Sequence, residues 1–503
     1  MWLPTADEMA ALDRRAVEGG HTTERTLIEA AGREIAARVA ARWPSGPVVG
    51  LLGSGHNGAD ALVALRTLRA RGREVRAVLC GSSSPEPDVS AGWEVPLLEA
   101  DRLEEACHGA TVALDGILGT GVRGEPREPQ AGCIRTLNRL ELPVAAVDGP
   151  SGADFTTGAV PGACVRAEMT VALGWPNLGL LLPPARERVG DLVAVEIGFP
   201  PSEGFGARAV TARRVRSLLP RRGPDAHKGE AGYLTVAAGQ EGMAGASVLA
   251  ARAAGRTGAG IVRVVGAPGN RTVVQSSVPD ALFTPWDDPD AVREAVAWSH
   301  AVAAGPGLGR GPERRALVEE LLAARGRKPV LLDADGINAW AGEPDALADR
   351  LVPADLVTPH PGELARLLDV EIREVLEDPP AAARSASRRL GATVLLKGSP
   401  SLVAPPDGPL RVAAHAGPGV ASGGSGDVLT GAAGALLAAG LEAAGAAEAA
   451  LLLTALAARR SPVAEGHLAS DVPGRLPAVR AELEELEAPA GRDAVLFVLP
   501  ASR

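Results

Sequence analysis

Apolar residues along this chain change their spacing, and the changes mark out its elements. Thr5 and Glu8 have the Thr-x-x-Glu spacing of a capping box, predicting a helix start. Leu12, Val17, Leu27, Ile28, Ile35 and Val39 then supply two amphipathic helices, broken near Gly19-Gly20. At Val48–Leu52 the helical period gives way to a short continuous apolar run, as in a buried parallel strand. A glycine-rich loop and a helix from about Ala61 to Arg71 follow, then strands at Val75–Leu79, Val112–Leu114 and Val144–Val147. Strand, loop, helix and strand in alternation predict a mostly parallel sheet covered by helices. Gly198–Gly204 has the composition of a boundary, and the alternation restarts beyond it. Strands are expected at Leu234–Ala237, Ile261–Val265, Ala301–Ala304, Val330–Leu332, Leu356-Val357 and Val394–Leu396. The fold class is therefore α/β, with two three-layer α/β/α domains. Their expected bounds are 1–205 and 206–488, with 489–503 as a C-terminal tail. The halves show no self-similarity, so the chain reads as a fusion.

Composition narrows the partners. The formal net charge is −10, which repels nucleic acid and anionic membrane surfaces. The most apolar stretch, Ala432–Ala458, is interrupted by Glu442 and Glu448 and reads as two buried helices, with no membrane span. Cys80, Cys107, Cys133 and Cys164 are widely spaced and form no CxxC, so neither a zinc site nor a disulfide framework is expected. With no apolar leader at the N-terminus, a cytoplasmic location is the expectation. Only three lysines occur, Lys228, Lys328 and Lys397, and the first and last lie in glycine-containing motifs.

In the first domain, Gly53-Ser54-Gly55-His56-Asn57-Gly58-Ala59-Asp60 follows a strand and opens a helix, and it matches GxGxxG. Glycines there would let backbone N–H groups approach a pyrophosphate. The second strand ends in Leu79-Cys80-Gly81, without the carboxylate that would hold a ribose in a redox dinucleotide site. Two further loops, Asp115–Gly121 and Asp148–Gly152, place a carboxylate beside small residues after a strand. The three loops in this order, preceded by Leu27-Ile28-Glu29-Ala30-Ala31-Gly32, resemble the NAD(P)H-hydrate epimerases. That resemblance implies a Rossmann-like domain and a potassium ion held by Asn57, Asp115 and Ser151. It implies substrate contacts from His56, Asn57, Gly58, Ala59 and Asp60, from Gly119, Thr120, Gly121, Val122, Arg123, Gly124 and Glu125, and from Asp148. Asp148 is the candidate acid/base, because inverting a carbon that bears a hydroxyl and the ring nitrogen needs a proton shuttle. Departures are His56 for a family Asn, Ala59 and Ala61 for glycines, and Pro176-Asn177 for Pro-Lys.

The second domain carries His227-Lys228-Gly229, Gln240–Ala246, Gly305–Gly309, Thr358–Glu363, Lys397–Ser401 and Gly423–Asp427. In the last, Gly424-Ser425-Gly426 can direct N–H groups at a transferring phosphoryl group, and Asp427 can take a proton from the attacking hydroxyl. No Walker A motif is present. The six motifs in order resemble the ADP/ATP-dependent NAD(P)H-hydrate dehydratases, which implies a ribokinase-like fold. The resemblance implies hydrate contacts from Ala246, Gly307, His360 and Asp427. It implies nucleotide contacts from Lys397, Gly398, Ser399, Pro400 and Ser401 and from Gly424, Ser425 and Gly426, with Glu363 organising a magnesium shell. Gly417 stands where the family often has Asn. The expected substrates are NADH hydrate and NADPH hydrate, with magnesium and ADP or ATP, and a homo-oligomer is the expected assembly. The competing expectation is a ribokinase-like small-molecule kinase that releases a stable phosphoester and carries a non-catalytic dinucleotide-binding N-domain.

Overall fold

The computed structural model describes the chain except for residues 82, 86–88, 90–91, 122, 201–203, 222–228, 230, 416–421, 462–465, 487–494 and 501–503. The described residues divide into two compact units, Met1–Arg208 with Ala488–Arg503, and Ala209–Glu487. The helix Ala6–Glu18 begins at the expected capping box: Thr5 Oγ1 accepts the Glu8 N–H (3.2 Å), and Glu8 Oε2 accepts the Thr5 N–H (2.8 Å). A second helix, Glu24–Arg42, follows the Gly19-Gly20 break.

In the first unit, the strands across the sheet run Val495–Leu499, Asp191–Val195, Met169–Leu173, Val144–Val147, Val112–Gly116, Val48–Leu52, Val75–Leu79 and Leu97–Glu99. All neighbours are parallel except the first pair. Alternate residues divide between two cores. Val48, Leu52, Val75, Ala77, Val112 and Leu114 face one, and Val49, Leu51, Val78 and Ala113 the other, so helices cover both faces. Strand order reverses between Val48–Leu52 and Val112–Gly116, which pair with Leu51 opposite Asp115. The loops leaving these two strands therefore flank a switch-point crevice, where doubly wound sheets bind ligands. The helix expected from about Ala61 starts earlier, at His56, so the motif itself forms the first helical turn. The segment expected to be a tail contributes Val495–Leu499 as an antiparallel edge strand beside Asp191–Val195. Its partner lies some 300 residues away in sequence, and no local pattern can announce such a pairing.

In the second unit, Leu282–Pro285, Ile261–Gly266, Tyr233–Ala237, Ala301–Ala304, Val330–Leu332, Leu356–Val357, Thr393–Leu396, Ser401–Ala404 and Leu410–Ala413 lie side by side. They are parallel up to Thr393–Leu396, and the last two joints are antiparallel. Leu234, Val236, Ala301, Ala303, Leu331, Leu356 and Leu395 join one core, while the intervening Thr235, Val302, Val330, Leu332, Val357 and Val394 are buried on the other face. Order reverses between Tyr233–Ala237 and Ala301–Ala304. The stretch read as two buried helices is Ser425–Ala438 and Ala443–Ala458. Among the described residues, no helix is long and apolar enough to cross a membrane.

Candidate functional site

Each unit gathers chemically active side chains at the carboxyl edge of its sheet. In the first, the glycine-rich loop packs against the loop after Val112–Gly116: the Gly53 N–H donates to Gly116 O (2.9 Å). A Cβ on Gly58 would stand 2.1 Å from the Gly53 carbonyl oxygen, so this position admits no side chain. The methyls of Ala59 and Ala61 are buried, and Ala61 sits against Gly116, where a Cβ would be 2.6 Å from it. The two departures from glycine therefore fall where the surroundings accept a methyl.

Asn57, Asp115 and Ser151 are brought together around Leu118. Asn57 Nδ2 donates to Leu118 O and Val147 O (both 2.9 Å). Ser151 Oγ donates to Asp115 Oδ1 (2.6 Å) and accepts the Leu118 N–H (2.8 Å), while the Ser151 N–H reaches Asp115 Oδ2 (2.8 Å). Burial pushes the Asp115 carboxyl up to about 6, against the hydrogen bonds from Ser151 and Ile117 that lower it.

Asp148 has φ +63°, a left-handed conformation that a non-glycine residue rarely adopts and that functional sites often hold. Its Oδ1 accepts the Leu173 N–H (3.1 Å). Burial, with Asp13 adding to it, raises Asp148 to about 7 despite that bond. Asp60 is raised well above the usual carboxylate range by burial and by the neighbouring Asp148 and Asp13. Asp13, on the first helix, was not foreseen, since an acidic residue on an exposed-looking helix face carries no local signal.

The other predicted contacts differ in their surroundings. His56 is exposed and pairs with Glu24 (Nε2–Oε1 2.5 Å). Gly119 abuts Asn57, where a Cβ would be 3.2 Å from Oδ1, and Thr120 is half-buried. Gly121, Arg123, Gly124 and Glu125 are exposed, with Arg123 bound to Asp7 (2.5 Å). Val122 lies outside the described residues. Asn177 is buried, and its Nδ2 donates to Pro4 O (3.4 Å).

In the second unit, the two loops at the reversal of strand order lock together. The Gly239 N–H donates to Pro306 O (2.9 Å), and the Gln240 N–H to Gly307 O (2.6 Å). Gly307, at φ +55°, stands against Ala246: a Cβ there would be 3.0 Å from the Ala246 methyl. His360 caps the helix Pro361–Leu368. Its Nδ1 accepts the N–H groups of Gly362 (3.0 Å) and Glu363 (3.3 Å), while Glu363 Oε2 accepts the His360 N–H (2.8 Å). Burial lowers the His360 pKa, opposed by Glu363. With Nδ1 accepting, the ring proton of the neutral imidazole lies on Nε2.

The Lys397 ammonium lies 2.6 Å from Asp333 Oδ1 and 3.6 Å from Glu363 Oε2. The loop beyond it is closed by Ser401, whose Oγ donates to Gly398 O (2.9 Å), leaving Gly398 and Ser399 exposed ahead of Pro400. A Cβ on Gly426 would be 3.7 Å from both Lys397 Nζ and Asp333 Oδ2, so the glycine turn meets the lysine directly. One expectation is corrected here. The Ser425 N–H bonds back to Ser422 O (3.1 Å), so among the described residues the first-turn N–H groups without a partner are those of Gly426 and Asp427. Burial and Asp333 raise the Asp427 carboxyl to about 6, with Lys397 opposing. His227, Lys228 and Gly417 lie outside the described residues.

The sequence reading also passed over Asp333. The available signal was a carboxylate directly after the buried strand Val330–Leu332, the same signal that singled out Asp115 and Asp148.

Known proteins carry the same two halves. Residues 24–179 match the family described as YjeF-related protein N-terminus, and residues 234–474 match NAD(P)H-hydrate dehydratase. A bifunctional NAD(P)H-hydrate repair enzyme of Salinibacter ruber is 35% identical over 95% of this chain and 96% of its own length. One from Gloeobacter violaceus is 37% identical over 82% of this chain and 84% of its own. A ribokinase-like superfamily protein from Enterococcus faecalis superposes with a TM-score of 0.50 at 20% identity, covering 57% of this chain and 100% of its own, and shows the fold of the second unit. With both halves matched and relatives similar from end to end, the chain belongs to the family of bifunctional NAD(P)H-hydrate repair enzymes.

Proposed function

We propose that this chain repairs hydrated nicotinamide cofactors in two steps: the first unit interconverts the R and S epimers of NADH and NADPH hydrate, and the second dehydrates the S epimer using ADP or ATP. The observation that carries the reading is the convergence of Asp427, Lys397, Asp333 and the N–H groups of Gly426 and Asp427 at the start of the helix Ser425–Ala438.

Asp427 accepts the proton of the hydrate's hydroxyl as that oxygen attacks the terminal phosphoryl group. The N–H groups of Gly426 and Asp427 stabilise charge on the transferring oxygens at the helix N-terminus, and Lys397 balances it. Phosphate then leaves with the C–O electron pair, pushed by the ring nitrogen lone pair. Loss of the proton from the neighbouring carbon restores the dihydronicotinamide. Phosphate leaves far more readily than hydroxide, which explains the need for a nucleotide in a dehydration. Magnesium fits this site as a companion of the nucleotide. Among the described residues, no three His, Cys, Asp or Glu side chains cluster as a cage, and Glu363 offers one buried carboxylate. When bound, it would neutralise phosphate charge.

In the first unit, Asp148 enters protonated, because hydroxide must leave the carbon as water. The ring nitrogen stabilises the resulting cation, water adds to the opposite face, and Asp148 recovers a proton. Potassium suits Asn57, Asp115 and Ser151. Their donors are oxygens of the kind a hard cation takes, and among the described residues no cationic side chain bonds the buried Asp115. Bound there, it would offset the cost of burying that carboxylate.

The test is to incubate the protein with mixed R and S NADH hydrate, magnesium and ADP or ATP, and follow the dihydronicotinamide absorbance. Recovery of both epimers is expected. Accumulation of a stable phosphoester without that absorbance would replace the dehydratase reading with a kinase.

A further inference from the structure

Asp333 follows the strand Val330–Leu332 and is almost wholly buried, yet three elements meet on its two oxygens. Oδ1 takes the Lys397 ammonium (2.6 Å) and the Thr358 hydroxyl (2.9 Å). Oδ2 takes the Thr430 hydroxyl (2.8 Å). Thr430 lies three residues after Asp427 on the helix Ser425–Ala438, so the two share a face near its first turn. Thr358 leads into the loop that ends at His360 and Glu363, and Glu363 reaches Lys397 from the other side (3.6 Å). One carboxylate thus joins the strand ends that carry the cation, the hydrate-facing histidine loop and the helix that carries the base.

We infer that Asp333 is a positioning residue for phosphoryl transfer: it holds the Lys397 ammonium and, through Thr430, the helix bearing Asp427 in one register, so that cation, N–H donors and base meet the same phosphoryl group. The inference rests on the proposed dehydratase reading and adds a residue to it. A carboxylate engaged on both oxygens by a lysine and two hydroxyls is rigid, and misplacing catalytic groups by about 1 Å costs about 100-fold in rate. The charge matters as well. Asp427 faces Asp333 and Lys397, and Lys397 faces Glu363 and His360 in turn. Removing the negative charge of Asp333 removes a group that disfavours ionised Asp427 and frees Lys397 to favour it. The acid limb of dehydration then moves to lower pH.

The experiment uses the full chain with S-NADH hydrate, magnesium and ADP or ATP, comparing wild type with Asp333→Asn, which keeps the shape and removes the charge. The expected result is a kcat lower by about 100-fold, with KM for the hydrate within about threefold of wild type. The acid limb should also move to lower pH. A wild-type kcat, or a lowered kcat with an unmoved acid limb, overturns the inference. Should Asp333→Asn fail to fold, Thr430→Val and Thr430→Ser decide. Loss of the hydroxyl in Thr430→Val should lower kcat about tenfold while Thr430→Ser stays near wild type. A wild-type rate in Thr430→Val overturns the inference. A wild type that restores no dihydronicotinamide from the S hydrate overturns the dehydratase reading itself, whereas an active wild type with an unaffected Asp333→Asn overturns only the role given to Asp333.

Discussion

The two units place their active groups at the same part of an α/β sheet, the carboxyl edge at a reversal of strand order, and make opposite use of charge there. In the first, Asp148, Asp60 and Asp115 are buried, and their carboxyls are pushed up, to about 7 for Asp148 and about 6 for Asp115. In the second, the ammonium of Lys397 lies between Asp333 and Glu363, and the helix start at Gly426 stands beside it. A site that must donate a proton to a departing hydroxyl gains from carboxyls that stay protonated near neutrality. A site that must hold a phosphoryl group needs positive charge and N–H donors. Among the described residues, the two scaffolds thus differ in whether their buried carboxylates are paired with a cationic side chain.

The strongest way to break this comparison is Asp427→Ala. Losing the base should cost dehydration about 1,000-fold or more and abolish recovery of both epimers, as read from dihydronicotinamide absorbance. Asp148→Ala should separate the units: S hydrate is repaired at the wild-type rate while R hydrate lags by about 100-fold, followed by chromatography of the two epimers. Equal repair of both epimers in that variant would remove Asp148 from the chemistry.

The opposed protonation states sharpen the contrast through pH. On the proposed mechanism Asp427 acts ionised, and burial raises its carboxyl to about 6, so dehydration should rise through pH 6 and level off above it. On the same proposal Asp148 acts protonated, and burial raises its carboxyl to about 7, so epimerisation should fall by about fivefold between pH 7 and 8, as its protonated fraction does. Parallel limbs in the two assays would contradict the assignment.

The smallest effect is on stability. The folded-state pKa of Asp148 lies above that of an unfolded aspartate, so its contribution to stability is present at acid pH and is lost as pH rises from about 4 to 7. Asp148→Asn does not titrate. Its melting temperature should exceed that of wild type by a few degrees at pH 8, on the order expected for a small stability change, and the gap should close toward pH 4.5. A gap that stays constant over that range would show that Asp148 does not titrate as described.

Much of each site was legible because its residues sit in loops directly after apolar strand runs. Asp115 and Asp148 were readable this way, Asp427 through the glycine turn that opens an alanine-rich helix, and Asn57, Ser151 and Lys397 through motif resemblance. Asp333 follows the same rule and was passed over, because its partners Lys397, Thr358 and Thr430 are scattered between residues 358 and 430 and nothing nearby marks them as such. His56, expected among the substrate contacts, lies exposed and pairs with Glu24. The first turn of a helix points successive side chains in different directions, and a motif spelled in letters does not show which of them turn outward.

By itself the sequence determined most of the elements, the two-domain α/β class and the candidate reactive groups, since these depend on local periodicity and on short loops whose chemistry is written in neighbouring residues. The tertiary structure alone decided three things: among the described residues, which carboxylates are buried without a cationic side chain and which first-turn N–H groups lack a partner, and that Val495–Leu499 returns to the first sheet. Each depends on burial or pairing between residues far apart in the chain, and pKa, hydrogen-bond satisfaction and strand partnership are properties of that surrounding, not of the residue.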